Sequence, residues 1–371
     1  MKDLISRGYA KGVPIADLER HDGKVWYIPH HGVYHPTKGK IRVVFDCAAS
    51  FQGISLNAQL LSGPDLTNNL VGVLTRFRKE PVVLMSDIEA MFHQVYVPEE
   101  DADLLRFLWW PGGDFNQSMQ EYRMGVHLFG ATSSPSCANY ALRKCAEDNK
   151  AHFNQQVIDT ILHNFYVDDC LASVGTEEEA ISLYTDLRLI CAKGGFHLTK
   201  WISNSRRVLA VIPEEERAKE VKNLDLDCDL LPIERALGVW WCLQSDAFKF
   251  SISIPNRPLT RRGILSMVSS FYDPLGFLAP VIFTAKRILQ DLCQRGIGWD
   301  DAIPSDVAQE WQRWVEELHL LDNISIKRSL KPTEFGEKTT AQLHHFADAS
   351  EAKFKSCGLI MEPTLWVRSV S

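Results

Sequence analysis

Ile161-Leu162-His163-Asn164-Phe165-Tyr166-Val167-Asp168-Asp169-Cys170-Leu171-Ala172-Ser173-Val174 carries an apolar run into two adjacent carboxylates and a second apolar run out of them. Ile, Leu, Phe, Tyr and Val in the flanks favour strand, so the stretch predicts a β-hairpin with Asp168 and Asp169 at its turn. Asp tolerates turn conformations, and a solvated Asp-Asp turn between two core strands is the simplest account of the dipeptide taken alone. Two carboxylates held side by side repel, which raises the pKa of one of them unless a cation lies between them. A metal site here would need another carboxylate from elsewhere in the chain.

An upstream candidate closes the apolar run Pro81-Val82-Val83-Leu84-Met85-Ser86-Asp87-Ile88. A carboxylate at the end of a buried strand is costly without a partner, so Asp87 points into a cleft, holds a cation, or caps the helical turn that follows. Phe92 lies five residues on, where its ring would border whatever Asp87 binds. If strand and hairpin share one sheet, Asp87, Asp168 and Asp169 converge with no basic neighbour in sequence. That is a hard-cation site of oxygen ligands, suited to Mg²⁺. Two such ions about 3.5–4 Å apart would activate an attacking hydroxyl and stabilise a leaving pyrophosphate.

Outward from these carboxylates, Leu66, Leu70, Val73, Leu74 and Phe77 recur at helical spacing and predict a helix from Asp65 to Lys79. Leu104 to Trp110 reads as a strand, and Ser134-Pro135 opens a helix that runs to about Asn149. Thr176-Glu177-Glu178-Glu179 is a capping box for a helix ended by Gly194-Gly195. Residues 198–255 alternate short strands with polar turns, apart from a charged surface helix over 213–222. Leu259 to Leu321 looks helical, 331–342 is a polar linker, and Leu343 to Ser350 opens a new strand. Near the start, Trp26-Tyr27-Ile28-Pro29 and Lys40-Ile41-Arg42-Val43-Val44-Phe45-Asp46 look like short strands. Lys40 and Arg42 form either a solvated face or one that grips a phosphate chain.

The 371 residues are enough for two or three domains, and 45% hydrophobic with 23% charged residues is ordinary for a globular protein. No apolar run is long enough to span a membrane, and the N-terminus lacks an apolar signal core, so a cytoplasmic setting is expected. Nine scattered cysteines without a Cys-x-x-Cys pair fit free thiols, and neither His30-His31 nor His344-His345 has cysteines at zinc spacing. A net charge of −7 excludes a protein coated in basic charge, but not nucleic acid held in a local groove.

Tyr166-Val167-Asp168-Asp169 resembles the signature of retroelement reverse transcriptases, and four further blocks, with the Lys40–Asp46 strand, resemble BEL/Pao-type LTR retrotransposon polymerases in order and spacing. They are Ile28-Pro29-His30-His31-Gly32-Val33, Ser86-Asp87-Ile88-Glu89-Ala90-Met91-Phe92-His93-Gln94-Val95, Gly130-Ala131-Thr132-Ser133-Ser134-Pro135 and Phe271-Tyr272-Asp273-Pro274-Leu275-Gly276-Phe277-Leu278-Ala279-Pro280. The resemblance implies an α+β right-hand polymerase fold of fingers, palm and thumb, with an antiparallel palm sheet backed by helices. Fingers and palm would occupy 1–255, incomplete at the N-terminus, and a thumb-like or connection region 256–330. The 331–342 linker would then lead to a truncated RNase H-like start over 343–371. It implies an RNA-directed DNA polymerase that adds dNTPs to a primer 3′-hydroxyl on an RNA or DNA template. Asp87, Asp168 and Asp169 would hold two Mg²⁺ ions, with Mn²⁺ as a substitute. Arg42, Ile88, Phe92, Gly130 and Lys200 would meet the nucleotide: Arg42 clamping the triphosphate, Phe92 crowding a ribose 2′-hydroxyl, Lys200 protonating pyrophosphate. Leu237 and Gly238 would grip the primer end, and Asp348 would be the first metal carboxylate of an RNase H site whose others lie beyond Ser371, so RNase H activity is not expected.

Two departures from the family pattern stand out. His35 stands where the family often carries a fingers lysine, which Lys38 or Lys40 could replace, and the aspartate block reads Phe45-Asp46-Cys47-Ala48-Ala49-Ser50. Neither touches the carboxylate triad. The chain looks like a piece of a polyprotein. A competing reading is a degenerate element copy that binds template-primer without catalysis. An aspartic peptidase would need Asp-Thr-Gly or Asp-Ser-Gly, and neither occurs.

Overall fold

Regular elements follow the apolar runs, and the computed structural model describes residues 1–36, 39–251, 257–331, 342–349 and 354–361. The chain enters through α1 (Lys2–Ser6) and β1 (Ala10–Gly12), forms an exposed hairpin from β2 (His30–His35) and β3 (Lys40–Phe45), then α2 (Leu56–Gln59) and α3 (Leu70–Phe77). Strands β4 (Val82–Ile88), β5 (Arg106–Trp109) and β6 (Gln120–Met124) precede helices α4 (Ser134–Asn149) and α5 (Gln155–His163). Next come β7 (Phe165–Tyr166), β8 (Asp169–Val174), α6 (Glu177–Lys193), β9 (Leu198–Ile202), α7 (Arg206–Val211) and α8 (Lys219–Lys222). Strands β10 (Ile233–Ala236), β11 (Val239–Cys242) and β12 (Ala247–Lys249) lead into helices α9 (Arg261–Val268), α10 (Ala279–Gln294) and α11 (Ser305–Glu317), and β13 (Ser325–Lys327) follows. Two compact units result, Met1–Leu330 and Lys331–Ser371.

The sheet that positions the site has the order β7-β8-β4-β9, every neighbour antiparallel. Val83, Leu84, Ile88, Leu171 and Phe165 from its strands share one core with Phe77 of α3, Leu142 of α4, Ile161 of α5 and Leu187 of α6. This is the expected antiparallel sheet backed by helices. A second sheet, β1-β6-β5, shares a smaller core with the β2-β3 hairpin through Phe45, Phe107 and Met124. A third, β10-β11-β12-β13, sets Trp241 edge-on against Phe77 with ring centroids 5.2 Å apart. Helices α9 to α11 pack a core of their own around Ile288, Leu292, Trp311 and Trp314.

Several local expectations shift. Ile161-Leu162-His163 belong to α5 rather than to the hairpin, which keeps only Phe165–Tyr166 as its incoming strand. Asn154 caps that helix through the Val157 N–H at 3.0 Å, and Val157, Ile158 and Ile161 form its buried stripe. The helix expected from Asp65 begins at Leu70, because Asn69 takes the Gly72 N–H while the Asp65 carboxylate is occupied by the Thr67 N–H. The charged segment 213–222 breaks into a 3₁₀ turn (Glu214–Glu216) and α8, since the Ala218 N–H is drawn onto the Trp201 carbonyl at the edge of β9. Its Glu216 is no free surface charge: it accepts from Tyr184 Oη (3.2 Å) and Arg188 (2.7 Å). Tyr27 makes only an isolated bridge to Arg106, so the Trp26–Pro29 stretch is no strand.

The capping box at Thr176 forms, with its hydroxyl accepting the Glu179 N–H at 3.1 Å, and α4 opens on Pro135. Among the described residues no helix is long and apolar enough to cross a membrane. In the second unit, β14 (Gln342–Ala349) and β15 (Phe354–Met361) form an antiparallel pair in which Asp348 sits opposite Lys355. Lys38, the 255/256 boundary and most of the 331–342 linker lie outside the described residues.

Candidate active site

Pairing register, not proximity in sequence, assembles the carboxylates. Strand β4 runs antiparallel to β8 so that Asp87 faces Asp169 directly, and the Ile88 N–H donates to the Asp168 carbonyl at 2.8 Å. Asp168 sits in the two-residue turn between Tyr166 and Asp169, whose other residue, Val167, has φ +57°. A β-branched residue in the left-handed region costs on the order of 1–3 kcal/mol and persists only where the surroundings impose it. Six non-glycine residues among those described have positive φ, and four of them (Ala90, Val167, Lys200 and Leu237) lie on segments carrying expected site residues. Strain is concentrated where a functional constraint would explain it.

On the other side of β4, Asp87 pairs with Thr199 across a register shift, and the left-handed Lys200 turns its ammonium to Asp87 Oδ2 at 2.8 Å. The expectation that the carboxylates have no basic neighbour holds along the sequence and fails in space. It also removes the capping role for Asp87: the 3₁₀ turn Met91–Gln94 has no side-chain cap. Burial first, then the charges of Asp168 and Asp87, push Asp169 up to about 7, while Lys200 opposes the shift. Burial also raises Asp168, with Asp87 adding to it.

The three side chains do not close on a single point: among the described residues no set of three or more His, Cys, Asp and Glu side chains is gathered in metal-ligand geometry. The chemistry of the donor set still fits a hard divalent cation, being carboxylate oxygens under mutual repulsion that added positive charge would relieve.

The other expected residues divide. Phe92 lies in the 3₁₀ turn after left-handed Ala90, its ring centroid 4.6 Å from that of Phe129. Gly130 has φ +108°, and a Cβ there would stand 3.0 Å from the Phe45 carbonyl, so only glycine lets this loop lie against the end of β3. Arg42 is exposed on β3, opposite Val33 and three residues before Phe45. Ile88 has its side chain fully buried in the sheet core and its N–H on the Asp168 carbonyl. Leu237 and Gly238 form the β10-β11 turn, both with positive φ. For Asp348 only the strand position is described.

Phe129, which braces Phe92, is marked in the sequence only by its place beside Gly130. Glu89 joins Arg7 (2.7 Å) and His197 (3.1 Å) in a cluster two residues beyond Asp87. Nothing in a linear pattern marks that cluster, which bridges 82 and 108 positions.

An antiparallel sheet with two turn carboxylates facing a strand-end carboxylate, backed by helices and followed by a second small sheet and a helical bundle, defines the palm of a right-hand polymerase. Residues 28–201 match the family model described as reverse transcriptase (RNA-dependent DNA polymerase), and residues 260–362 match the Pao retrotransposon-like RNaseH-like domain. Taken together, the two matches make the chain similar, over most of its length, to the reverse transcriptase and RNaseH-like domains of Pao-type retrotransposons. Its fold is similar to that of a foamy viral protease-reverse transcriptase solved in complex with double-stranded DNA, at 14% identity and a TM-score of 0.53. That match covers 94% of this chain and 50% of the other, so the chain spans about half the length of that structure. No curated protein sequence matches it.

Proposed function

We propose that this chain is an RNA-directed DNA polymerase core that extends a primer on an RNA or DNA template using dNTPs. The observation that carries the reading is the register of β4 on β8, with Asp87 opposite Asp169 and Asp168 adjoining it in a strained turn. In the reaction the primer 3′-oxygen forms a new bond to the α-phosphorus, the α–β phosphoanhydride bond breaks and pyrophosphate leaves. Asp87, Asp168 and Asp169 would hold Mg²⁺, as two ions, or Mn²⁺; bound there, the metal supplies Lewis-acid activation of the hydroxyl and charge neutralisation at the phosphates.

The chain's own residues do the rest. Arg42, exposed on its hairpin, offers a planar fork of donors to the triphosphate. Phe92, braced by Phe129, walls the sugar and excludes a 2′-hydroxyl. Gly130 keeps the loop beneath the nucleotide flat, and the Lys200 ammonium, already at the carboxylates, hands a proton to the departing pyrophosphate. Leu237 and Gly238 bear on the primer end.

A second reading, a protein that binds template-primer without extending it, is favoured by one observation: the Lys200 ammonium occupies Asp87. One experiment separates the two: primed RNA homopolymer, matching dNTP and Mg²⁺ or Mn²⁺, with Asp168→Asn as control. Extension above the control is expected. Template binding without it would leave only the second reading.

A further inference from the structure

The block Phe271–Pro280 has no part in the mechanism above, yet it reaches the β10-β11 turn with an unusual fit. Tyr272 Oη donates to the Leu237 carbonyl at 2.8 Å. Its ring lies over Gly238 so closely that a Cβ at that position would stand 2.6 Å from the ring edge. Gly238 is therefore required twice, by its φ of +87° and by the ring above it. The turn is held in a left-handed conformation, Leu237 at φ +47°, that its own sequence does not favour.

Tyr272 is itself fixed from behind. Asp273 accepts the Phe277 N–H at 2.9 Å and the Leu278 N–H at 2.7 Å, which folds the segment into a tight loop ahead of α10. Phe277 packs against both the palm core and the helical core, under the Arg78 guanidinium 4.9 Å away. The Tyr272 side chain stays half exposed over the turn. A cavity of about 280 Å³ opens at this junction, bordered by Tyr272, Gly238, Trp240 and Phe250.

A tyrosine serving only the core would bury its ring and need no carbonyl on a strained turn. We infer that Tyr272 is a positioning residue for the primer 3′ end: its hydroxyl and ring clasp the 237–238 turn and hold it in the left-handed shape that bears on that end. The inference rests on the polymerase reading, because it needs a primer end to position.

The test compares the wild-type chain with Tyr272→Phe, Tyr272→Ala and Gly238→Ala on a primed duplex carrying 2-aminopurine at the primer terminus. Single-nucleotide incorporation, duplex affinity, terminus fluorescence and melting temperature are measured together. Tyr272→Phe, which keeps the ring and loses the hydroxyl, should slow incorporation about tenfold with an unchanged half-saturating dNTP concentration, the signature of a misplaced reacting end. Terminus fluorescence should change in the same variant while duplex affinity and melting temperature hold. Gly238→Ala should reproduce the rate and fluorescence changes by pushing the ring away, with a lower melting temperature because alanine at φ +87° is strained. A structural role alone would move melting temperature and active fraction but not the rate against half-saturation split or the fluorescence. Wild-type rates and fluorescence in both Tyr272→Phe and Gly238→Ala overturn the inference and leave the polymerase reading standing. If the chain binds the duplex but does not extend it, the fluorescence decides alone; if it binds no primed duplex, both readings fall.

Discussion

Two carboxylate clusters of the molecule are treated in opposite ways. In the 3₁₀ segment Glu99–Leu105 that leads into β5, Asp103 is fully enclosed, but guanidinium groups of Arg20 (2.9 Å), Arg106 (3.0 Å) and Arg123 (3.1 Å) surround it. Burial works to raise its pKa, and the three guanidiniums overcome burial and hold it at about 2. In the palm, Asp169 is less enclosed, yet burial and two neighbouring carboxylates push it up to about 7, with one lysine in opposition. Burial alone does not set the charge state; the number of matched donors does. The first cluster is complete and its role ends with stability. The second has unspent negative charge, which is what a site that takes up a divalent cation requires.

The sharpest way to break this contrast is to neutralise one member of each cluster. Asp168→Asn should lower primer extension by on the order of 10³-fold or more, the scale seen when one member of a concerted catalytic set is removed. Its melting temperature should be unchanged or higher, since one repelling charge is gone. Asp103→Asn should do the reverse. It leaves three guanidiniums without their common partner and should cost roughly 3–5 kcal/mol of stability. Equal melting temperatures for the two variants would remove the distinction between them.

The two clusters should also titrate with opposite signs in the metal-free protein. Asp103 is depressed in the fold, so its contribution is present above the ordinary carboxylate range and is lost as pH falls towards about 2. Asp169 is raised, so the fold is unpenalised below the ordinary range and loses stability as pH climbs through about 7. Thermal melts from pH 5 to pH 8 should show a decline that Asp169→Asn reduces and Mg²⁺ reverses, the latter because an ion that binds only the folded state stabilises it. A pH-independent difference between wild type and Asp169→Asn would show that Asp169 titrates alike in the folded and unfolded chain.

Legibility in the sequence divided along physical lines. Strand β4 and helices α4 and α6 could be read because a continuous apolar run, a Pro at the helix start and a Thr-x-x-Glu cap are local signals acting within a few residues. Helix α5 could not, because its last apolar residues, Ile161 and Leu162, run straight into the Phe165–Tyr166 strand and only Asn154 marks its start. Asp87, Asp168 and Asp169 were legible as candidates, and their meeting depended on a register that pattern alone leaves open. The Asp103 cluster went unseen because arginines in strands read as solvated charges. So did Arg328, which is fully buried, grips Asp246 through two bonds of 2.7 and 2.8 Å and reaches the Phe77, Glu80 and Pro81 carbonyls.

Lys200 is where the two kinds of cluster come closest to each other, and its removal should have the smallest effect and the most informative one. Its ammonium is the cation that partly satisfies the palm carboxylates, so it competes with a divalent metal while also offering a proton to the leaving group. These roles separate in Lys200→Gln. Loss of the competing charge should lower the Mg²⁺ concentration needed for half-maximal rate, whereas loss of the acid should lower the maximal rate by about tenfold, towards the low end of general-acid effects. Both changes together are expected. A lower maximal rate with unchanged metal dependence would mean that the Asp87 contact yields without cost when metal arrives. A metal shift with an unchanged rate would make Lys200 a counter-charge like the arginines around Asp103, placed in the palm to keep three repelling carboxylates folded until their cation binds.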